Sequence, residues 1–139
     1  MPSAPLEAEL TMANPLILIL AFGAAAFLGG MLRSLLAQWF PARVGTFVAN
    51  VLASFAAGMA IGFTTAIDDP ETSNFLMPVV ATGFAGALST WSTLAAELSA
   101  LIKSKQWRTL AFYLGLTLAV GIIFAHRGAV WARRIYYVE

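Results

Sequence analysis

The chain has 139 residues, 60% of them apolar and only 11% charged, with a mean hydropathy of +0.80 and a formal net charge of +1. A soluble domain carries roughly 25% charged residues, so charge is too scarce here to coat a water-facing surface, and lipid must surround most of the chain. The near-zero charge excludes an electrostatic footprint for nucleic acid or acidic substrates. The lack of cysteine, with His126 the single histidine, excludes disulfides, iron–sulfur clusters, thiolate zinc and cysteine nucleophiles.

The first dozen residues, MPSAPLEAELTM, hold two glutamates and two prolines but no lysine or arginine. A signal peptide wants a positive segment before its apolar run, so residues 1–13 are predicted to be a mobile tail. A transmembrane helix needs about 20 mostly apolar residues. Four stretches qualify, at about 14–36, 45–67, 75–102 and 107–126, and together they make a predicted transmembrane domain over 14–127 with a short tail at 128–139. The apolar runs are too long and continuous for barrel strands. The fold class is therefore an all-α membrane protein, and the short connections impose an up-down-up-down path with both termini on one side.

Orientation follows from Lys and Arg, which concentrate on the cytoplasmic side. Arg33, Arg43, Lys103, Lys105 and Arg108 lie toward one face, and Arg127, Arg133 and Arg134 toward the other. A five-to-three split is a weak bias. It is compatible with one fixed orientation, or with dual topology in which copies insert both ways and pair antiparallel. Four helices are also few for enclosing a pore, which favours an oligomer.

In the second stretch Asn50 is an amide in an uncharged span, with Thr46 and Ser54 one turn to either side on the same helix face. Taken alone, it reads first as interhelical glue. Gly58 and Gly62 form a small-residue face for close helix packing. The third stretch contains Gly83-Phe84-Ala85-Gly86-Ala87-Leu88-Ser89-Thr90-Trp91-Ser92-Thr93-Leu94. Two glycines and four hydroxyl residues at mid-membrane suit a broken helix, whose freed backbone groups are satisfied by Ser and Thr or line a cavity. The alternative is an intact helix whose hydroxyls bond back to the preceding turn. Tyr113 and Thr117 add a one-turn pair in the fourth stretch.

With Asn50, Ser92 and Thr93, that pair would make a polar track without a carboxylate, suited to a small permeant that accepts hydrogen bonds. The spans contain no Ser–His–acid set, paired carboxylates or metal-ligand cluster, so the reading is not an enzyme. Arg33 and Glu97 are placed near helix ends, able to pair or snorkel, and an arginine at a pore mouth would concentrate anions.

At this point the residues match a known pattern. The chain resembles the Fluc (CrcB) family of fluoride channels through Gly29-Gly30-Met31-Leu32-Arg33, through Gly45-Thr46-Phe47-Val48-Ala49-Asn50, and through the third-stretch motif with Glu97 downstream. The resemblance implies helix three broken near mid-membrane in an antiparallel, dual-topology homodimer with two fluoride pores. It implies a structural sodium ion held by the backbone carbonyls of Gly86 and Ser89. Asn50 would be the amide that hydrogen-bonds fluoride, with Ser92, Thr93, Tyr113 and Thr117 along the track and Arg33 and Glu97 at the pore mouth. The family's two pore phenylalanines fall at Trp91, which keeps an aromatic edge and adds an indole N–H, and at Leu94, which has no ring. Ser89 stands where the family usually has threonine.

The implied function is passive export of fluoride across the cell (inner) membrane to relieve fluoride toxicity. Hydrogen fluoride enters neutral and ionises inside, and a negative-inside potential then drives the anion out. One alternative is a subunit of a heterodimeric fluoride channel, whose partner supplies the ring missing at Leu94. A small multidrug-type transporter is the other, and it would need an ionisable group deep in a helix. The expected partners are fluoride, the bilayer and a second, inverted copy of the chain, with no nucleic acid.

Overall fold

The computed structural model describes residues 14–138, so the tail expected over 1–13 lies outside them. It is helical throughout, with four helical stretches long and apolar enough to cross a membrane. α1 is Pro15–Trp39 and α2 is Ala42–Ile67. The third span, Pro70–Lys103, is composite: α3 (Pro70–Leu76), a π-helical segment (Met77–Ala85), the single turn α4 (Gly86–Leu88), a break at Ser89 and Thr90, then α5 (Trp91–Lys103). α6 is Trp107–Tyr137.

The ends of these helices have local causes. Asn14 caps α1 by accepting the Leu16 N–H at 2.9 Å, and Pro15 fills the first helical position. Pro41 forces Phe40 into an extended conformation (φ −119°, ψ 153°), which ends α1 and lets α2 start at once. Asp68 closes α2 in the left-handed region at φ 52°, and Asp69 caps α3 through the Thr72 N–H at 2.8 Å. Pro78 lacks an N–H at the start of the π segment, where the hydrogen-bond ladder widens.

Helices therefore run longer, and connections shorter, than hydropathy suggested. The connection after α1 is Phe40 and Pro41 alone, and the one after α2 is Asp68 and Asp69. The tail expected from residue 128 is the last part of α6, because charge at Arg127 marks where hydrocarbon ends and not where the helix ends. Arg33 and Glu97, expected near helix ends, lie within α1 and α5.

α2 is the hub of the packing. It contacts α1, the π segment and α5, and its most extensive interface is with α6. Small residues permit that approach: a Cβ on Gly58 would overlap the Ala125 carbonyl oxygen, one on Gly62 the Ala129 oxygen, and one on Gly128 the Phe55 oxygen. On its other side α2 presents Ala49 and Ala53 to a core containing Leu36, Ala85 and Leu88. A second core joins α5 to α6 through Leu94, Leu101 and Tyr113.

Candidate functional site

The break in the third span is held open by a side chain from α2. In a continuous helix the Thr90 N–H would bond the Gly86 carbonyl. Here it donates instead to Asn50 Oδ1 at 2.8 Å. The Thr93 N–H, which would meet the Ser89 carbonyl, goes to Thr90 Oγ1 at 3.2 Å, so Thr90 caps α5. The Thr90 hydroxyl in turn donates to Thr93 Oγ1 at 2.7 Å. The carbonyls of Gly86 and Ser89 are thereby released from the helical ladder. Gly86 retains only a long contact from the Ser89 hydroxyl, at 3.3 Å. Hard, uncharged backbone oxygens of this kind suit a small cation such as sodium.

With its oxygen committed to Thr90, the Asn50 side chain must turn its NH₂ the other way. That group makes no hydrogen bond among the described residues, and Asn50 lines a cavity of about 330 Å³ together with Ser54, Ser89, Trp91, Leu94 and Thr117. The hydroxyls there are already donating. Ser54 bonds the Asn50 carbonyl and Thr117 the Tyr113 carbonyl, each at 2.8 Å. The side-chain N–H groups left unused there are those of Asn50 and of the Trp91 indole, and Trp91 is 74% exposed. Leu94 is only 3% exposed, because it also belongs to the α5–α6 core.

Across the break a second cavity, of about 360 Å³, is lined by Arg33, Ser34, Thr46, Thr90, Thr93 and Glu97 among others. Glu97 makes no ion pair with Arg33 among the described residues. It is drawn inward instead: Thr46 donates to its Oε1 at 2.8 Å and Tyr113 to its Oε2 at 2.6 Å. Both donors are buried, and these charge-assisted bonds join α2, α5 and α6.

The predicted track residues are thus divided. Asn50, Trp91, Leu94 and Thr117 share one cavity, and Thr93, Arg33 and Glu97 share the other. Tyr113 is buried against Glu97 and lines neither, while Ser92 is exposed and lines neither. Two further residues take part. Thr90 joins the break to Asn50 and caps α5, and its position just before a helix restart is the sequence signal for that cap. Ser54, a face-mate of Asn50, also lines the cavity.

Comparison with known proteins gives a consistent picture. Residues 19–129 match the family described as "CrcB-like protein, Camphor Resistance (CrcB)". The chain is 45% identical over 107 residues to a fluoride-specific ion channel, FluC, of Corynebacterium diphtheriae, covering 77% of this chain and 88% of that one. A FluC of Ignicoccus hospitalis is 36% identical over 98 residues, covering 70% of this chain and 77% of its own. One from Mycolicibacterium paratuberculosis is 33% identical over 122 residues, covering 81% and 90%.

Proposed function

The chain belongs to the CrcB family of fluoride-specific ion channels, and we propose that it passes fluoride at the helix break, with the Asn50 amide replacing part of the ion's water. The observation that carries this reading is the split use of that amide. Its oxygen is fixed by Thr90, so its NH₂ is presented to the cavity without a competing partner. Fluoride is small and gives up water only to close donors. An amide locked by a second bond costs nothing further to orient when the ion arrives.

The neighbouring groups take supporting roles. The Trp91 indole N–H is a second unused donor on the Asn50 side, and its ring edge is weakly positive. Arg33 and Thr93 supply donors on the other side of the break, where the arginine draws anions toward it. Thr117 stands one turn beyond Tyr113, with its proton held by the backbone until an anion competes for it. Transport is passive: the membrane potential drives the anion outward, about 2.3 kcal/mol per charge for each 100 mV. The protein has no catalytic part in this scheme.

A second copy, inserted in the opposite sense, completes the site in this reading. Gly86, Trp91, Ser92 and Thr93 are exposed within a spanning segment, and irregular backbone with polar side chains is not left facing lipid. Covering that surface with its own inverted image would bring together the released Gly86 and Ser89 carbonyls of two chains. Those residues would hold a sodium ion, whose charge would tie the two breaks together. Two copies would also generate two equivalent paths.

Asn50→Asp tests the pore assignment. The aspartate keeps an acceptor for the Thr90 N–H but replaces the NH₂ by negative charge. Fluoride efflux from vesicles, read with a fluoride electrode, is expected to fall to background in this variant, and unchanged flux would remove Asn50 from the path.

A further inference from the structure

The last turns of α6 carry a feature that ion conduction does not use. Between His126 and Val138 the sequence places Arg127, Arg133 and Arg134 with Trp131, Tyr136 and Tyr137, and no acidic residue. The family match ends at residue 129, so most of this segment lies past it. Helical spacing puts Arg127, Trp131, Arg134 and Val138 on one ridge, while Gly128 and Ala132 are buried, with Gly128 against the Phe55 backbone of α2. The ridge is not flat: Trp131, Arg134, Ile135 and Val138 line a groove of about 390 Å³.

None of the three guanidinium groups has a hydrogen bond or ion pair among the described residues. Among the described residues the acids at this end of the molecule are Asp68, Asp69 and Glu71 in the α2–α3 corner, and Asp69 is committed to Thr72; Glu139 follows Val138 in the sequence, outside the described residues. Among the described residues, therefore, three strong cations stand without a bonded counter-charge. They do so at headgroup depth, since 31 residues of helix extend about 46 Å, against roughly 30 Å of hydrocarbon.

We propose that this ridge of α6 binds an anionic phospholipid, its phosphate held by Arg127 and Arg134 and an acyl chain laid along Trp131, Ile135 and Val138. The two guanidinium stems start about 10 Å apart along the axis. Arg127 extends outward from the hydrocarbon edge to reach the same depth as Arg134. A guanidinium fork matches phosphate oxygens bidentately, and the indole at this depth gives the glycerol region an amphipathic wall. Charge selects the class of lipid: three arginines against the single Glu139 leave the segment 126–139 net positive, so the ridge favours a headgroup of net negative charge over phosphatidylcholine, whose own cation would meet three arginines.

The test is native mass spectrometry of the full chain extracted from bilayers of equal phosphatidylglycerol and phosphatidylcholine. Wild-type protein is expected to retain phosphatidylglycerol preferentially. The double variant Arg127→Gln/Arg134→Gln should lose that preference, by about fivefold for each guanidinium removed. Trp131→Ala, which keeps all the charge, should weaken retention of both lipids. Equal retention of the two lipids by wild type, or undiminished phosphatidylglycerol on the double variant, would overturn the proposal. So would displacement of the lipid by millimolar inorganic phosphate, which would make the site one for the free anion. Arg134→Lys keeps the charge without the fork and is expected to fall between wild type and the double variant, so the proposal stays testable if the glutamines misfold.

Discussion

At Asn50 the two halves of one amide carry separable consequences. Asn50→Asp preserves an acceptor for Thr90 and should leave the fold near wild type while removing flux. Asn50→Ala strands the Thr90 N–H inside the membrane and should cost about 1–3 kcal/mol as well, read as a lower unfolding temperature in detergent. Glu97 makes a parallel case. Tyr113→Phe deletes the 2.6 Å bond to its Oε2 and leaves the carboxylate with Thr46 alone. A loss of about 1.5–3 kcal/mol is expected, measured by the same thermal unfolding, and an unchanged midpoint would show that the bond does not contribute to the stability of the folded protein. The amide at Asn50 was legible in the sequence because an amide has few reasons to stand in an apolar span. The binding of Glu97 to Thr46 and Tyr113 was not, since those partners lie 51 and 16 residues away and meet only after α2 and α6 pack.

At the scale of the helices, the glycines divide by what a methyl group would meet. Gly58→Ala would drive a Cβ into the Ala125 carbonyl oxygen, and because backbone cannot rotate aside as a side chain can, the α2–α6 interface must open. The cost should reach or exceed the upper part of the 1–3 kcal/mol typical of overpacking. Gly23→Ala and Gly115→Ala meet nothing within 4 Å and should leave stability unchanged or raise it by about 0.5–1 kcal/mol. A thermal-unfolding series over the three variants decides whether close backbone contact sets the interface.

The cap of α3 adds a pH dependence. The bonds from Thr72 hold the Asp69 carboxyl below its ordinary value of 3.8, so its contribution is fully present above that value and is lost as pH falls through the lowered one. Protection of the amides in residues 70–76, taken relative to their intrinsic exchange rates, should therefore fall only in strong acid. The four spans were readable from apolar length alone, whereas their ends were not. Pro41 and Asp69 set those ends by local geometry, and hydropathy is blind to it.

For the whole molecule, the break is what supports the proposed antiparallel pair. Exposed Gly86, Ser92 and Thr93 in a spanning segment ask for a cover, and the proposed inverted copy would supply one with matching chemistry. The purified particle should have twice the 14.8 kDa mass of the chain, and tags at the chain termini should be reachable from both sides of a sealed vesicle. A tag reachable from one side only would exclude the antiparallel pair. The charge split between the two faces left this open in the sequence, because five basic residues against three bias insertion only weakly. The measurement that bears most directly on the function is ion efflux from liposomes reconstituted with this chain alone, with fluoride and chloride followed in parallel. Rapid loss of fluoride with chloride retained is the expected result, and it would show that Trp91 and Leu94 serve in a self-sufficient channel. Retention of both ions by well-folded protein, or equal loss of both, would contradict a fluoride-selective path built from this chain.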